Sequence, residues 1–150
     1  MQAMLKLDIK IRAAQAADLP ALIGVDAIAQ RDPARRRMLG EAIAAQSCWL
    51  AEAEEALGYG ILDRSFFQQR FIPLLMVAEA ARGRGVASAL MAEFERRCAG
   101  DKLFTSANES NLPMRRLLDK LGFRESGRID NLDDGDPELV FMKRAARPAG

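Results

Sequence analysis

The stretch Glu79-Ala80-Ala81-Arg82-Gly83-Arg84-Gly85-Val86-Ala87-Ser88 decides how this chain reads. It follows an apolar, strand-sized run that ends at Val77. It precedes an amphipathic segment from Val86 to Cys98, where Val86, Leu90, Phe94 and Cys98 recur every four residues. Gly83 and Gly85 permit a tight turn and let a ligand approach main-chain amides with no Cβ in the way. The helix start leaves N–H donors without intrahelical acceptors and carries partial positive charge. Arg82 and Arg84 add cations at that positive end, where each costs about 0.3–1 kcal/mol if nothing negative is near. An anion in the loop removes the conflict, and we read the loop as a pyrophosphate cradle. The bland alternative is a glycine-rich turn with two solvated arginines.

Two better-known phosphate loops fail on spacing. A P-loop ends in Gly-Lys-Ser/Thr, which is absent here. The dinucleotide fingerprint needs a third glycine where Ser88 stands, and it opens the first βαβ unit, whereas this loop is past mid-chain.

Around the loop the pattern alternates strands and helices. Leu7, Ile9 and Ile11 alternate with polar residues as a first strand. Asp18 is placed to cap a helix carrying Leu19, Leu22, Ile23 and Ile28, and Asp32-Pro33 opens a second with Met38, Leu39, Ala42 and Ile43 as its stripe. Cys48–Ala53 and Leu57–Asp63 read as a hairpin, then an aromatic loop at Phe66-Phe67, then the buried strand Phe71–Val77. After the Val86 helix come a strand at Leu103–Ser106 and a helix at Asn111–Leu121 closed by a left-handed Gly122. Strands from Phe123 and at Leu139–Lys143 flank an acidic turn, and a tail begins at Ala145. The expected class is α/β, with a mixed, largely antiparallel sheet.

Composition narrows the chemistry. The 150 residues suit one domain with a sizeable core. Lys and Arg total 22 against 21 Asp and Glu, so no global basic excess points to nucleic acid. Neither a secretory h-region nor an apolar run of membrane-spanning length occurs, and the expectation is a cytoplasmic protein with no membrane contact. Cys48 and Cys98 read as buried apolar residues. There is no histidine, which removes Ser–His and Cys–His nucleophiles, His-containing zinc sites and any imidazole base.

The residues resemble the GNAT superfamily of N-acetyltransferases, which bind acetyl-coenzyme A. The family signature Arg/Gln-x-x-Gly-x-Gly/Ala fits Arg82-Gly83-Arg84-Gly85-Val86-Ala87, with Val77 closing the preceding strand. Asn111 through Leu121-Gly122-Phe123 is similar to the family's second motif. The resemblance covers about residues 8 to 144. It implies the GNAT fold, with six to seven strands and helices on both faces in one domain. It also implies transfer of an acetyl group from acetyl-CoA to a primary amine of a small molecule or peptide, by direct attack in a ternary complex. By position, it assigns main-chain groups of Leu75, Met76 and Val77 to the pantetheine arm. Pro73 in that strand lacks a ladder donor, which fits interrupted pairing there. The loop Arg82, Gly83, Arg84, Gly85, Val86, Ala87 and Ser88 is assigned to the pyrophosphate. Asn111 is assigned to the arm, flanked by Met114 and Leu117; a plain N-cap at Asn111 is the other reading. Dimers are common in the family, and the chain's own oligomeric state is left open.

One position departs from the pattern. Many members carry a tyrosine that protonates the departing thiolate, and here Leu118 stands there. That keeps alive a rival from another class, a non-catalytic acyl-CoA-binding sensor. Weak RNA binding through Arg82, Arg84, Arg96, Arg97, Arg115 and Arg116 is disfavoured by the neutral charge. If acetyl transfer is the chemistry, an ammonium acceptor of pKa near 10.4 needs a base. Without histidine that base is a carboxylate. Glu79 is the first choice, though it also reads as a partner for Arg82 or Arg84, with Glu52 and Glu138 in reserve. The run Asp133–Glu138 reads as a solvated turn. Phe66, Phe67 and Phe71 either wall the acceptor site or are simply core.

Overall fold

In the computed structural model, which describes residues 7–147, one crossover helix organises a mixed sheet. The elements are β1 (Lys10–Ala13), α1 (Leu19–Val25), α2 (Pro33–Ala44), β2 (Cys48–Glu52), β3 (Ala56–Phe66) and β4 (Gln69–Val77). They continue with α3 (Val86–Arg97), β5 (Lys102–Asn108), α4 (Leu112–Lys120), β6 (Arg124–Ile129) and β7 (Glu138–Arg144). The seven strands run in the order β1-β2-β3-β4-β5-β7-β6. β4 and β5 are parallel, which requires a crossover, and α3 supplies it. The pairs β1–β2, β2–β3, β5–β7 and β6–β7 are antiparallel. The α/β, largely antiparallel class expected from sequence is therefore what forms. β1 starts at Lys10, so Leu7 and Ile9 of the expected first strand precede it; residues 1–6 and 148–150 lie outside the described residues.

Contacts group the chain into two compact units. The first comprises residues 7–62 and Leu74–Glu93. Its core packs Leu22, Val25, Leu39, Ala42 and Ile43 from the helices with Cys48, Leu50, Tyr59 and Ile61 from the strands. The stripe on α2 is the one the sequence shows, and Asp32 caps this helix, its carboxylate accepting from Ala34 N at 2.9 Å. α1 is shorter than its periodicity suggests. It stops at Val25 because Asp26 turns extended, and Ile28 lies outside the helix, 36 % exposed. Asp18 makes no side-chain cap on α1; it accepts instead from Gln15 N and from Arg12.

The second unit comprises Asp63–Pro73 and residues 94–147. β5 buries Leu103, Thr105 and Ala107 on one face, while Phe104 and Ser106 on the other stay half-buried. The β4–β5 ladder runs from Arg70–Leu103 to Ile72–Thr105, and the next β4 residue, Pro73, has no amide to continue it. α4 ends on left-handed Gly122 (φ +90°), with Phe123 N donating to Leu118 O at 2.9 Å. Two expectations change here. β3 continues through Phe66, so of the expected aromatic loop only Phe67 lies in the connection, a two-residue turn, Phe67-Gln68, that joins β3 to β4. Ala145 is not yet a loose tail: it is buried and bonded both ways, to Asp101 O and from Gly100 N. Among the described residues no helix is long and apolar enough to cross a membrane.

Candidate active site

The first unit holds Leu75, Met76, Val77, Glu79 and the whole Arg82–Ser88 loop. After β4 the chain makes a 3-10 turn over Glu79–Ala81, with Ala81 N bonded to Ala78 O and Ala81 buried beneath. Gly83 and Gly85 then both take left-handed backbone, at φ +75° and +87°. A Cβ at either would meet nothing within 4 Å, so these glycines are required by conformation and not by crowding. Arg82, Gly83, Arg84 and Gly85 are all exposed. The first bond into α3 runs from Ala89 N to Gly85 O at 3.0 Å. The amides of Val86, Ala87 and Ser88 precede that bond and have no helix carbonyl to donate to. No acidic side chain occupies the first turn of α3. Free amides, two left-handed glycines and two arginines converge on one exposed loop, and this set is fit to receive a diphosphate.

Gly58 is a site residue that the sequence reading did not single out. A Cβ on it would stand 2.6 Å from Met76 O, 3.0 Å from Val86 Cγ1 and 3.4 Å from Val77 Cα. Its bareness lets β3 come close to the end of β4 and the start of α3. Glycine on both sides of Tyr59, within a strand, was the available signal. Ala78 N donates to Leu57 O at 2.8 Å, which fixes the end of β4 on β3.

The other named carboxylates and the tyrosine sort themselves by partner. Glu79 is exposed at the head of the 3-10 turn. Glu52 is held by Arg12 at 2.7 Å. Tyr59 is fully buried, and its hydroxyl donates to Asp26 Oδ2 at 2.5 Å. Burial, then that bond, push the phenol's ionisation upward, so its proton is committed. Asp26, also fully buried, further accepts from Arg35 Nη1 at 2.8 Å and from the amides of Ile28 and Ala29. Burial alone would raise its pKa; the bonds from Tyr59 and Ala29, with the charge of Arg35, win and hold it below the usual carboxylate value.

Asn111, Met114 and Leu117 lie in the second unit. Asn111 is the N-cap of α4, its Oδ1 accepting from Met114 N at 3.3 Å, so the capping role is real. Met114 and Leu117 are half-buried, and Leu118 is core. Glu138 begins β7 opposite Asn108 and Ile129. The acidic turn is partly structural: Asp133 accepts from Asn108 Nδ2, and Asp136 accepts from Ser110 N and Oγ.

The family model for the GNAT acetyltransferases matches residues 17–123. The chain belongs to that family. It is similar to a GNAT-family acetyltransferase of Bacillus cereus, 30 % identical with a TM-score of 0.86, over 93 % of this chain and 99 % of that one. The ribosomal-protein-S18-alanine N-acetyltransferase of Escherichia coli shares the fold at 17 % identity and a TM-score of 0.73, over 94 % and 96 % of the two chains. Arabidopsis thaliana Naa50, in complex with the bisubstrate analogue CoA-Ac-MVNAL, shares it at 19 % and 0.72, over 91 % and 99 %. A search of curated proteins returned no match. This GNAT acetyltransferase is thus an acetyl-transferring enzyme of a family that uses acetyl-CoA.

Proposed function

We propose that this acetyltransferase binds acetyl-CoA on the Gly83–Ser88 loop and moves the acetyl group to a primary amine of a small molecule or peptide, by direct attack in a ternary complex. The observation that carries the reading is the trio of first-turn amides without a helix acceptor, Val86 to Ser88, directly after an exposed turn with two left-handed glycines. Strand alternation turns the main-chain groups of Leu75 and Val77 to the edge that serves the pantetheine arm, whereas Met76, which the resemblance also assigns there, has its carbonyl against Gly58 of β3. The bisubstrate peptide on Naa50 and the S18 alanine of the Escherichia coli enzyme support an α-amine of a peptide as one acceptor class.

Acetyl-CoA supplies an acyl group activated as a thioester. The chain's own part is electrostatics and proton handling. Because Ala78 N is spent on β3, strand alternation turns the Val77 N–H to the opposite edge, where it is free to meet a developing oxyanion. The amine nitrogen bonds to the acyl carbon, the carbon–sulfur bond breaks, and the amine's proton goes to a base. Glu79 takes that role, through water, because it is exposed beside the end of β4. A thiol of pKa about 8.5 leaves without a dedicated acid, which accommodates Leu118 and a Tyr59 that is already engaged.

Calorimetry with acetyl-CoA tests the cradle. Ser88→Glu puts a negative charge among the amides without backbone strain, and an acidic residue in a first helical turn favours folding. Binding should be lost with the melting temperature unchanged or raised; retained affinity refutes the cradle. Thiol release on adding amines tests the base: Glu79→Gln should lower kcat by about 10²-fold, and an unchanged pH profile removes Glu79 from the role.

A further inference from the structure

The second unit carries an aromatic cluster to which the proposed transfer assigns no role. The Phe66 ring lies 5.1 Å from Phe71 and 5.4 Å from Phe104, while Phe67 packs edge-on against it at 4.9 Å. Phe71 and Phe104 are direct neighbours in the β4–β5 ladder. These three rings are half-buried, but Phe67 is 81 % exposed.

Phe67 is also in the wrong conformation for its type. It and Gln68 both hold left-handed backbone, at φ +51° and +62°, in the two-residue turn. Turns of this kind favour Asn-Gly, and the left-handed region costs an ordinary residue about 1–2 kcal/mol. The edge-on contact with Phe66, worth about 0.5–1.5 kcal/mol, offsets part of that cost but leaves the ring exposed, open to a side chain from outside the chain.

Charge says what that is. Lys102 pairs with Arg144 across β5–β7, two residues from Phe104 and therefore on its side of the sheet. Arg64, two residues before Phe66, shares that side by the same alternation. All three are exposed. Arg64 and Arg144 donate only to backbone carbonyls, of Gln68 and Gly100, and among the described residues none of the three meets a carboxylate. A second copy docked on this face through a two-fold axis would set these cations against their own equivalents. A nucleic acid finds, among the described residues, no long basic track and a single exposed ring face to stack on, on a chain of net charge +1.

We infer that this face binds an acidic peptide segment of a partner protein, with one apolar side chain seated against Phe66 and Phe67 and its carboxylates on Arg64, Lys102 and Arg144. The probe is a labelled decapeptide of glutamate and aspartate around a central leucine–tryptophan pair, read by fluorescence anisotropy with the full chain. Saturable binding that weakens with salt is expected. Phe67→Asn, which suits a left-handed position, and the pair Lys102→Glu with Arg144→Glu should each weaken it about tenfold or more, leaving amine-dependent thiol release unchanged. The asparagine variant should melt higher, so lost binding cannot be lost folding. The inference is overturned by no binding, by binding that both variants retain, by a tighter grip on the lysine counterpart peptide or a uridine decamer, or by a dimer in sedimentation that Phe67→Asn dissolves.

Discussion

Gly58→Ala adds one methyl group where β3, the end of β4 and the start of α3 come together. The new carbon would sit 2.6 Å from a backbone oxygen, that of Met76, so no side-chain rotation relieves the contact. Overpacking of this kind costs about 1–3 kcal/mol. Against it stands a gain of about 0.4–1 kcal/mol, because alanine has less freedom to lose on folding where the backbone accepts it. The net expectation is a loss of about 1–2 kcal/mol, or about 3–6 °C in melting temperature for a chain this long. Gly40→Ala is the internal control. It lies inside α2 with nothing within 4 Å of a built Cβ, so it should stabilise by about 0.5–1 kcal/mol. Urea unfolding followed by Trp49 fluorescence reads both. Gly58→Ala should also weaken acetyl-CoA binding, because relief moves Met76, Val77 and Val86, while Gly40→Ala should not. A Gly58→Ala protein as stable as Gly40→Ala, with unaltered affinity, would refute the reasoning.

Asp26→Asn should destabilise by about 3–5 kcal/mol at neutral pH, since it sets an amide against donors from Tyr59 and Arg35 in a dry site. The sign with pH follows from its lowered pKa. The carboxylate's stabilisation is present above the unfolded value, about 4, and fades as pH falls through the lower folded value, so wild type and variant should converge only in acid. Denaturant midpoints at pH 7 and pH 3 measure it, and a pH-independent gap would be the wrong result. Gly83→Ala meets no atom but forces alanine to φ +75°, so we expect about 1–2 kcal/mol of strain in the loop and weaker acetyl-CoA binding in calorimetry; an unchanged affinity would show that the loop geometry is irrelevant to the ligand. Burial pushes the Cys48 thiol up to about 12 and raises Cys98 as well. A chromogenic disulfide at pH 8 should find no prompt thiol in the native chain and two after denaturation; rapid labelling of either in the native state would contradict this.

The order of elements was legible because periodicity and punctuation agreed: the α2 stripe with its Asp32-Pro33 start, Gly122 at the end of α4, and the double glycine before α3 each carry a local signal. Asn111 showed its capping role for the same reason. What stayed hidden depends on residues distant in sequence. Asp26 resembles a surface residue until Tyr59, 33 positions away, and Arg35 are brought to it. Gly58 shows its purpose only when Met76 and Val86 arrive. The β3–β4 connection reads as an aromatic loop, but its tightness stayed hidden because Phe67-Gln68 has none of the residues two-residue turns favour. Ile28 kept the helical spacing, but Asp26 had already ended the helix.

The engagement of Tyr59 has a spectroscopic consequence. It is the chain's one tyrosine, sealed in the first unit with its hydroxyl on a carboxylate, whereas a solvated phenol ionises near pH 10. In an alkaline titration the phenolate's ultraviolet band should therefore stay dark well past that point and then rise together with unfolding. Trp49, the one indole, lies in the same unit. Both natural chromophores thus watch the half of the molecule that carries the glycine loop, and loss of structure confined to the remainder would pass unseen by either.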